Sequence, residues 1–156
     1  MTYAKETCPP LPDDAQFGPM KRWLFLSPAL LFMGGIFWMS SYPAPESLHL
    51  FPMWAGIKLV HLIEYGLLTL LWVWGLRNAT QWSWRKVAFI SILITFCWGI
   101  SDEYHQSFVP GRTAKAADAL TDLLASALVV GLVSFIRGRK AKLCYKSGSK
   151  KDEEAL

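Results

Sequence analysis

Four long apolar segments limit this chain to one kind of fold. A helix needs about 20 mostly apolar residues to cross the roughly 30 Å hydrocarbon core of a bilayer. Four stretches approach or reach that length: Trp23–Tyr42, Ile57–Leu76, Val87–Gln106 and Ala116–Ile136. Because lipid offers no hydrogen-bond partner to an open backbone, each stretch is expected to be an α-helix. The sequence therefore predicts an all-α polytopic membrane protein, a bundle of four transmembrane helices.

The balance of residue types agrees with a membrane location. Hydrophobic residues make up 53% of the 156 residues and charged residues 18%, whereas charged residues are about 25% of a typical soluble domain. The cysteines show no disulfide-framework or metal-ligand spacing; they are Cys8, Cys97 and Cys144. A cysteine-based scaffold or metal site is therefore not expected.

The chain divides into three regions. Residues 1–20 are rich in proline and predict a flexible cytoplasmic tail, residues 21–139 form the transmembrane domain, and residues 140–156 form a charged cytoplasmic tail. Lys21 and Arg22 precede the first segment, as in a signal peptide. That segment is too long for the apolar core of a signal peptide, so we interpret it as a retained helix.

Lysine and arginine are distributed unequally between the two ends of the predicted helices. One end holds Lys21, Arg22, Arg77, Arg85, Lys86, Arg137, Arg139, Lys140, Lys142 and Lys146, and the other holds Lys58, Arg112 and Lys115. The positive-inside rule therefore predicts that both termini and the second loop are cytoplasmic and that the first and third loops face outward.

The net charge of +4 raises the question of an anionic partner. The basic residues lie beside apolar segments and do not form a folded basic module of the kind that binds nucleic acid. Membrane lipids with anionic headgroups are the expected partner, and nucleic acid is not.

The run from Asp102 to Arg112 places acids, a histidine and an arginine between the third and fourth apolar segments. An ionisable residue near the bilayer centre costs roughly 2.5–3.5 kcal/mol on insertion scales, so such residues usually mark a functional site. Function is therefore expected at this end of the bundle.

Polar residues also form a stripe on each of three helices. The second helix carries its polar residues at i, i+3, i+6 and i+7, the third at i, i+3 and i+4, and the fourth one turn apart. Because all three stripes lie at one predicted membrane level, they satisfy one another only if they converge. The predicted outward-facing pocket comprises Lys58, His61, Glu64, Tyr65, Asp102, Glu103, His105, Gln106, Arg112, Asp118 and Asp122.

The predicted pocket holds more acids than bases. Carboxylates in a poorly hydrated site cannot all ionise without compensation. Compensation would come from a protonated carboxyl, from a charged His61 or His105, or from a bound divalent metal, which takes carboxylate and imidazole ligands. The remaining interpretation is structural: polar side chains within a membrane commonly form interhelical hydrogen bonds, worth about 0.6 kcal/mol on average.

These residues resemble a known family. The runs Ser40-Ser41-Tyr42-Pro43 and Lys58-Leu-Val-His61-Leu-Ile-Glu64-Tyr65, then Asp102-Glu103-Tyr-His105-Gln106-Ser-Phe108-Val-Pro110-Gly111-Arg112 and Asp118-x-x-x-Asp122, are similar to those of the VanZ-like bacterial membrane proteins. The resemblance covers about Leu24 to Phe135. It implies a location in the bacterial inner membrane and a role in the cell envelope at the outer leaflet, in a family named for glycopeptide resistance. It does not name a substrate.

Three functions are compatible with this pattern. In the first, the pocket binds a lipid-linked or headgroup ligand, with Arg112 and Lys58 holding phosphate. In the second, the protein is a metal-assisted hydrolase or transferase with His61 or His105 as acid and base. The third is proton or ion transfer, which the position of the acids near one surface disfavours. The sequence leaves open whether the protein is an enzyme.

Overall fold

The structure is a computed structural model that describes residues 22–43, 53–112 and 115–154, with side chains described over 22–43, 58–112 and 115–142. A short 3-10 helix, Trp23–Leu26, leads directly into α1, Ser27–Ser40. Helix α2 spans Met53–Ala79 and α3 spans Trp84–Gln106. Helix α4 spans Ala116–Glu154. The predicted flexible tail at residues 1–20 lies outside the described residues.

Each predicted segment is a helix long and apolar enough to cross a membrane: Trp23–Ser40, Lys58–Ala79, Trp84–Gln106 and Ala116–Lys142. Large apolar side chains such as Leu31, Leu124 and Leu128 are mainly exposed on the outside of the bundle, as expected of surfaces that face lipid rather than water. The predicted fold class is confirmed.

The helix ends differ from the predicted ends. Helix α2 begins at 53 instead of 57 and ends at 79 instead of 76, and α3 begins at 84 instead of 87. Helix α4 continues to 154, well past the predicted end at 136 and into the charged region from residue 140. Apolar patterning marks where a helix leaves hydrocarbon. The helix continues beyond that point because its backbone groups hydrogen-bond to one another and because Lys, Arg and Glu are good helix formers.

Helix α2 is central, packing against α1, α3 and α4. Its buried apolar residues include Tyr65, Leu68 and Trp72. Near its end, Gly75 allows the 3-10 helix to lie close, because a Cβ added there would be 2.7 Å from the backbone oxygen of Phe25. The short connection to α3 makes those two helices antiparallel neighbours.

Hydroxyl groups join the three helices that carry the polar stripes. Thr69 Oγ1 on α2 lies 3.0 Å from Ser126 Oγ on α4 and 3.3 Å from Thr95 Oγ1 on α3. All three side chains are fully buried. The buried acids lie next to these three hydroxyls, towards the start of α2 and α4 and the end of α3.

Candidate functional site

A histidine and an aspartate form the centre of the buried polar cluster. His61 Nδ1 on α2 lies 3.1 Å from Asp122 Oδ1 on α4. His61 is 6% exposed and Asp122 is 0% exposed. Because a carboxylate oxygen only accepts hydrogen bonds, the pairing assigns the hydrogen to Nδ1. The other ring nitrogen, Nε2, is thereby directed away from Asp122.

His61 Nε2 faces a second acid. Glu103 Oε1 on α3 lies 4.0 Å from it, beyond hydrogen-bond distance. The other oxygen of Glu103 accepts a hydrogen bond of 2.8 Å from the backbone N–H of Lys115. That bond holds the carboxylate in place. Among the described residues, Oε1 itself has no hydrogen-bond partner.

Asp118 joins the same group from the first turn of α4. One ligand-type atom from each of His61, Glu103 and Asp118 lies within 4.8 Å of the other two, and all three residues are buried. Asp118 and Asp122 lie one helical turn apart, so both face α2 and α3. We call His61, Glu103, Asp118 and Asp122 the His61 cluster.

Asp102 lies beside the His61 cluster with its own partners. Tyr65 Oη donates a hydrogen bond of 3.2 Å to Asp102 Oδ2, and Gln106 Nε2 donates one of 2.7 Å to the same oxygen. The rings of Tyr65 and His61 are nearly parallel, with centroids 5.8 Å apart. This second set of contacts orients Tyr65 and, through it, one face of the His61 ring.

Gly99 is a site residue that the sequence analysis missed. A Cβ at this position would lie 2.7 Å from Asp122 Oδ2 and 3.3 Å from Tyr65 Cε1. Only a residue without a side chain lets α3 approach Asp122 this closely. A signal was available, because Gly99 precedes Asp102 by three residues and Gln106 by seven and so shares their helix face.

His105 does not join the His61 cluster. Its Nε2 lies 3.0 Å from Ser41 Oγ, and its ring lies 4.2 Å from that of Phe37, centroid to centroid. Both contacts are with the α1 side of the bundle. At about 100° per residue, His105 and Gln106 flank Asp102 on opposite sides. Although His105 and Gln106 share a stripe, His105 therefore points towards α1 and Gln106 towards Tyr65.

Arg112 also serves α1. Its Nε donates a hydrogen bond of 2.8 Å to the backbone oxygen of Tyr42, and Nη2 donates one of 3.3 Å to that of Met39. These carbonyls lie at the C-terminal end of α1, where a cation is favoured by the helix dipole. Gly111, with a φ of 81°, makes the preceding turn.

The remaining predicted site residues lie outside these contacts. Lys58 is exposed and Glu64 is half-buried. Within the part of the chain that the structure describes, both ion pairs involve His61, with Glu103 and with Asp122. The side chains of Lys58, Arg112 and Lys115 therefore neutralise none of the described carboxylates at close range.

The charge balance of the cluster follows from these contacts. Three buried acids, Glu103, Asp118 and Asp122, lie around His61, and a fourth, Asp102, lies beside them. Three of their oxygens lack a hydrogen-bond partner among the described residues: Asp102 Oδ1, Glu103 Oε1 and Asp122 Oδ2. Burying an uncompensated carboxylate costs several kcal/mol. The arrangement is thus suited to receive positive charge or a proton, and His61 Nε2 is suited to act as a base or a ligand.

A family model described as VanZ/LLP1 matches residues 25–137, most of the chain and all of the cluster. Comparisons with curated proteins and with solved structures gave no match.

Proposed function

The chain belongs to the VanZ/LLP1 family and is a multi-pass membrane protein, and from this we propose that it acts in the bacterial cell envelope by binding the polar headgroup of a lipid or lipid-linked ligand. The His61 cluster is the proposed binding site. The observation that carries the proposal is the set of buried carboxylate oxygens without partners around His61.

The cluster has more polar capacity than helix association requires. Interhelical hydrogen bonds are complete when each donor meets an acceptor, as for Asp102 Oδ2 with Tyr65 and Gln106. The acids of the His61 cluster retain acceptor atoms that no described donor reaches. Acceptors left over within an apolar bundle favour a site that a ligand or ion completes.

We place this site at the outer face of the inner membrane. The cluster lies near the start of α4 and the end of α3. That end of the bundle is poor in lysine and arginine, while the other end carries Arg77, Arg85 and Lys86. The positive-inside rule supports cytoplasmic termini and an outward-facing site.

Phosphate is the group that most envelope headgroups and lipid-linked intermediates share. The arginine expected to hold it is bound to the carbonyls of Met39 and Tyr42, and Lys58 is exposed. The acids would repel a phosphate. Phosphate binding at this site therefore requires a cation that bridges the carboxylates and the ligand.

A metal-assisted hydrolase or transferase is the second candidate. It is favoured by one observation, the fixing of the His61 ring by Asp122 beside two further carboxylates. At Nε2 such a ring can either accept a proton from a water or hydroxyl group or hold a metal that activates the water, but it cannot do both at once. Release of product from a polyprenyl diphosphate by the purified protein would favour this candidate over binding alone.

Headgroup binding can be tested by native mass spectrometry of the purified full-length protein. The probes are a polyprenyl phosphate, phosphatidylglycerol and the neutral lipid diacylglycerol. We expect retention of a phosphate-bearing probe and little retention of diacylglycerol. His61→Gln should lower that retention at least about tenfold, because it removes the imidazole nitrogen that would help to hold the bridging cation, and each 1.4 kcal/mol of lost affinity is tenfold.

Arg85→Gln is the matched control, because it removes an exposed charge at the opposite end of the bundle. It should leave retention unchanged. Preference for the polyprenyl phosphate would indicate a lipid-linked ligand, and equal retention of phosphatidylglycerol a membrane phospholipid. Equal retention of all three lipids, or of the phosphate probes by His61→Gln and the unaltered protein, would contradict the proposal.

A further inference from the structure

We propose that His61, Glu103 and Asp118 bind a divalent cation, with zinc as the preferred ion. The three residues come from α2, from α3 and from the first turn of α4, and their ligand atoms lie within 4.8 Å of one another. All three are buried. Imidazole nitrogen with two carboxylate oxygens is a donor set that zinc accepts.

Two buried atoms of the proposed site face each other. His61 Nε2 and Glu103 Oε1 are 4.0 Å apart. With the hydrogen on Nδ1 for Asp122, a neutral His61 presents a lone pair to a carboxylate oxygen. Two acceptors facing each other in a buried place repel unless a cation lies between them. At this separation a proton on Nε2 would not make a hydrogen bond of ordinary length.

Asp122 has a supporting role in the proposed site. Histidines that bind metal usually donate their other ring N–H to a carboxylate or carbonyl group, which fixes the tautomer and raises the basicity of the ligand nitrogen. Asp122 occupies that position at 3.1 Å from His61 Nδ1. Gly99 is what lets α3 approach Asp122. The site thus includes a supporting residue as well as three ligands.

An independent observation comes from Glu103. Its side chain is 7% exposed, yet Oε1 has no hydrogen-bond partner in the described part of the chain. The backbone N–H of Lys115 holds the other oxygen, so Oε1 is directed at His61. A buried acceptor held in this way, facing a second acceptor, indicates a missing positive partner.

The donor set selects the kind of cation. It contains nitrogen and oxygen donors and no sulfur donor. The described cysteine, Cys97, is exposed on α3 and is not part of the set. An imidazole ligand disfavours calcium and magnesium, and zinc binds such sites more tightly than manganese or ferrous iron. Tetrahedral zinc with bonds of about 2.1 Å places its ligands about 3.4 Å apart. A side-chain closure of less than about 1.5 Å meets that requirement.

Such an ion would also supply the charge that phosphate binding requires. Three protein ligands leave a fourth position of zinc open to a phosphate oxygen or a water. This bridging role rests on the proposed function. The metal site itself rests on the geometry of the four cluster residues alone.

The test is the metal content of the full-length protein, purified in detergent with its affinity tag removed, loaded with zinc and desalted. We expect about one zinc per chain, and X-ray absorption should show a nitrogen and oxygen shell with a single imidazole. Glu103→Gln and Asp118→Asn should each lose at least about nine-tenths of the zinc, since each removes a ligand. Asp122→Asn should bind zinc about 10–100-fold more weakly, as expected of a supporting residue.

Glu64→Gln is the matched control, because Glu64 is a half-buried acid on the same helix as His61 and lies outside the contacts of the His61 cluster. It should retain the metal. If a ligand variant does not accumulate, the unaltered protein still gives an answer, because added zinc should raise its melting temperature and a chelator should reverse the effect. Absence of bound zinc together with absence of this shift would overturn the site, as would equal zinc in all variants.

The two proposals fail in different ways. Bound zinc without retention of any phosphate lipid supports the metal site and contradicts headgroup binding. Retention of polyprenyl phosphate that survives the chelator contradicts the bridging role of the ion. Retention lost with the chelator and restored by zinc supports both.

Discussion

Gly99 shows how one atom can decide whether the cluster forms. Asp122 is fully buried, and its two oxygens are directed at different neighbours. Oδ1 pairs with His61, and Oδ2 lies 2.7 Å from the position that a Cβ on residue 99 would occupy. Tyr65 Cε1 would lie 3.3 Å from the same Cβ, so an added methyl group would meet two side chains. The short distance between α3 and α4 is therefore a property of a glycine as much as of the acids.

Gly99→Ala should destabilise the protein. Overpacking a buried position costs typically about 1–3 kcal/mol, partly offset by up to about 1 kcal/mol of better helix propensity. The measurement is the free energy of unfolding in mixed detergent and SDS. Gly131→Ala on α4 is the control, because a Cβ there has nothing within 4 Å, and it should be neutral or slightly stabilising. Equal stability of the two variants would mean that Asp122 can move away without cost.

Arg112 is a second residue whose contacts differ from those that its position suggests. Its position in an acidic run predicts an ion pair, but its guanidinium group binds the carbonyls of Tyr42 and Met39. Free carbonyls at a helix end also accept hydrogen bonds from arginine. Charge alone therefore did not identify the partner.

At the scale of the helices, α2 organises the bundle because its contacts with the others are the most extensive. One end of α2 supplies His61 to the cluster and Tyr65 to Asp102 beside it. The other end packs against the 3-10 helix at Gly75, where the backbone of Phe25 lies close. The helix thus needs small residues at its contacts and polar residues at its site, a combination common where helices pack within membranes.

Gly75→Ala should weaken the attachment of the first span. The added Cβ would meet a backbone oxygen at 2.7 Å, and a backbone cannot turn aside as a side chain can. We expect a loss of about 1–3 kcal/mol in the free energy of unfolding and faster proteolysis near residues 22–26. Gly35→Ala in α1 is the control, because a Cβ there meets nothing within 4 Å. Unchanged proteolysis in Gly75→Ala would show that the 3-10 helix does not depend on this contact.

At the scale of the whole molecule, the cluster lies at one end of a bundle whose opposite end is basic. Arg77, Arg85 and Lys86 lie at or near the α2–α3 connection. Three described aromatic–cation contacts lie at that same end: Lys86 over Trp82, Arg137 over Trp84 and Arg139 over Phe135. Tryptophan and basic residues together are typical of the cytoplasmic interface of a membrane protein. The orientation of the cluster towards the outside remains a prediction.

The orientation can be measured by labelling with a membrane-impermeant thiol reagent in intact cells. Cys8, Cys97 and Cys144 are first replaced. A cysteine at the exposed Ser107 should react, and a cysteine at the exposed Ser83 should react only after the membrane is permeabilised. The two changes are chemically identical and differ only in the end of the bundle. The reverse pattern would place the cluster in the cytoplasm and remove the envelope role.

Several features of this protein were determined by the sequence alone. The length and apolarity of the four segments predict four spanning helices, because hydrocarbon permits no other open-chain structure, and the structure confirms them. The motif also identified the family, which the match over residues 25–137 confirms. The placement of the polar stripes on three helices likewise required only a period of 3.6 residues.

The tertiary structure decided which polar residues meet. A stripe on a helix spans about 100°, wide enough for His105 to face α1 while Asp102 and Gln106 face Tyr65. Which side chains touch depends on the rotation of each helix about its axis and on how closely the helices approach. Those quantities are set by residues such as Gly99, whose effect is felt by another helix. The His61 cluster is therefore a property of packing between α2, α3 and α4, which no single segment of sequence contains.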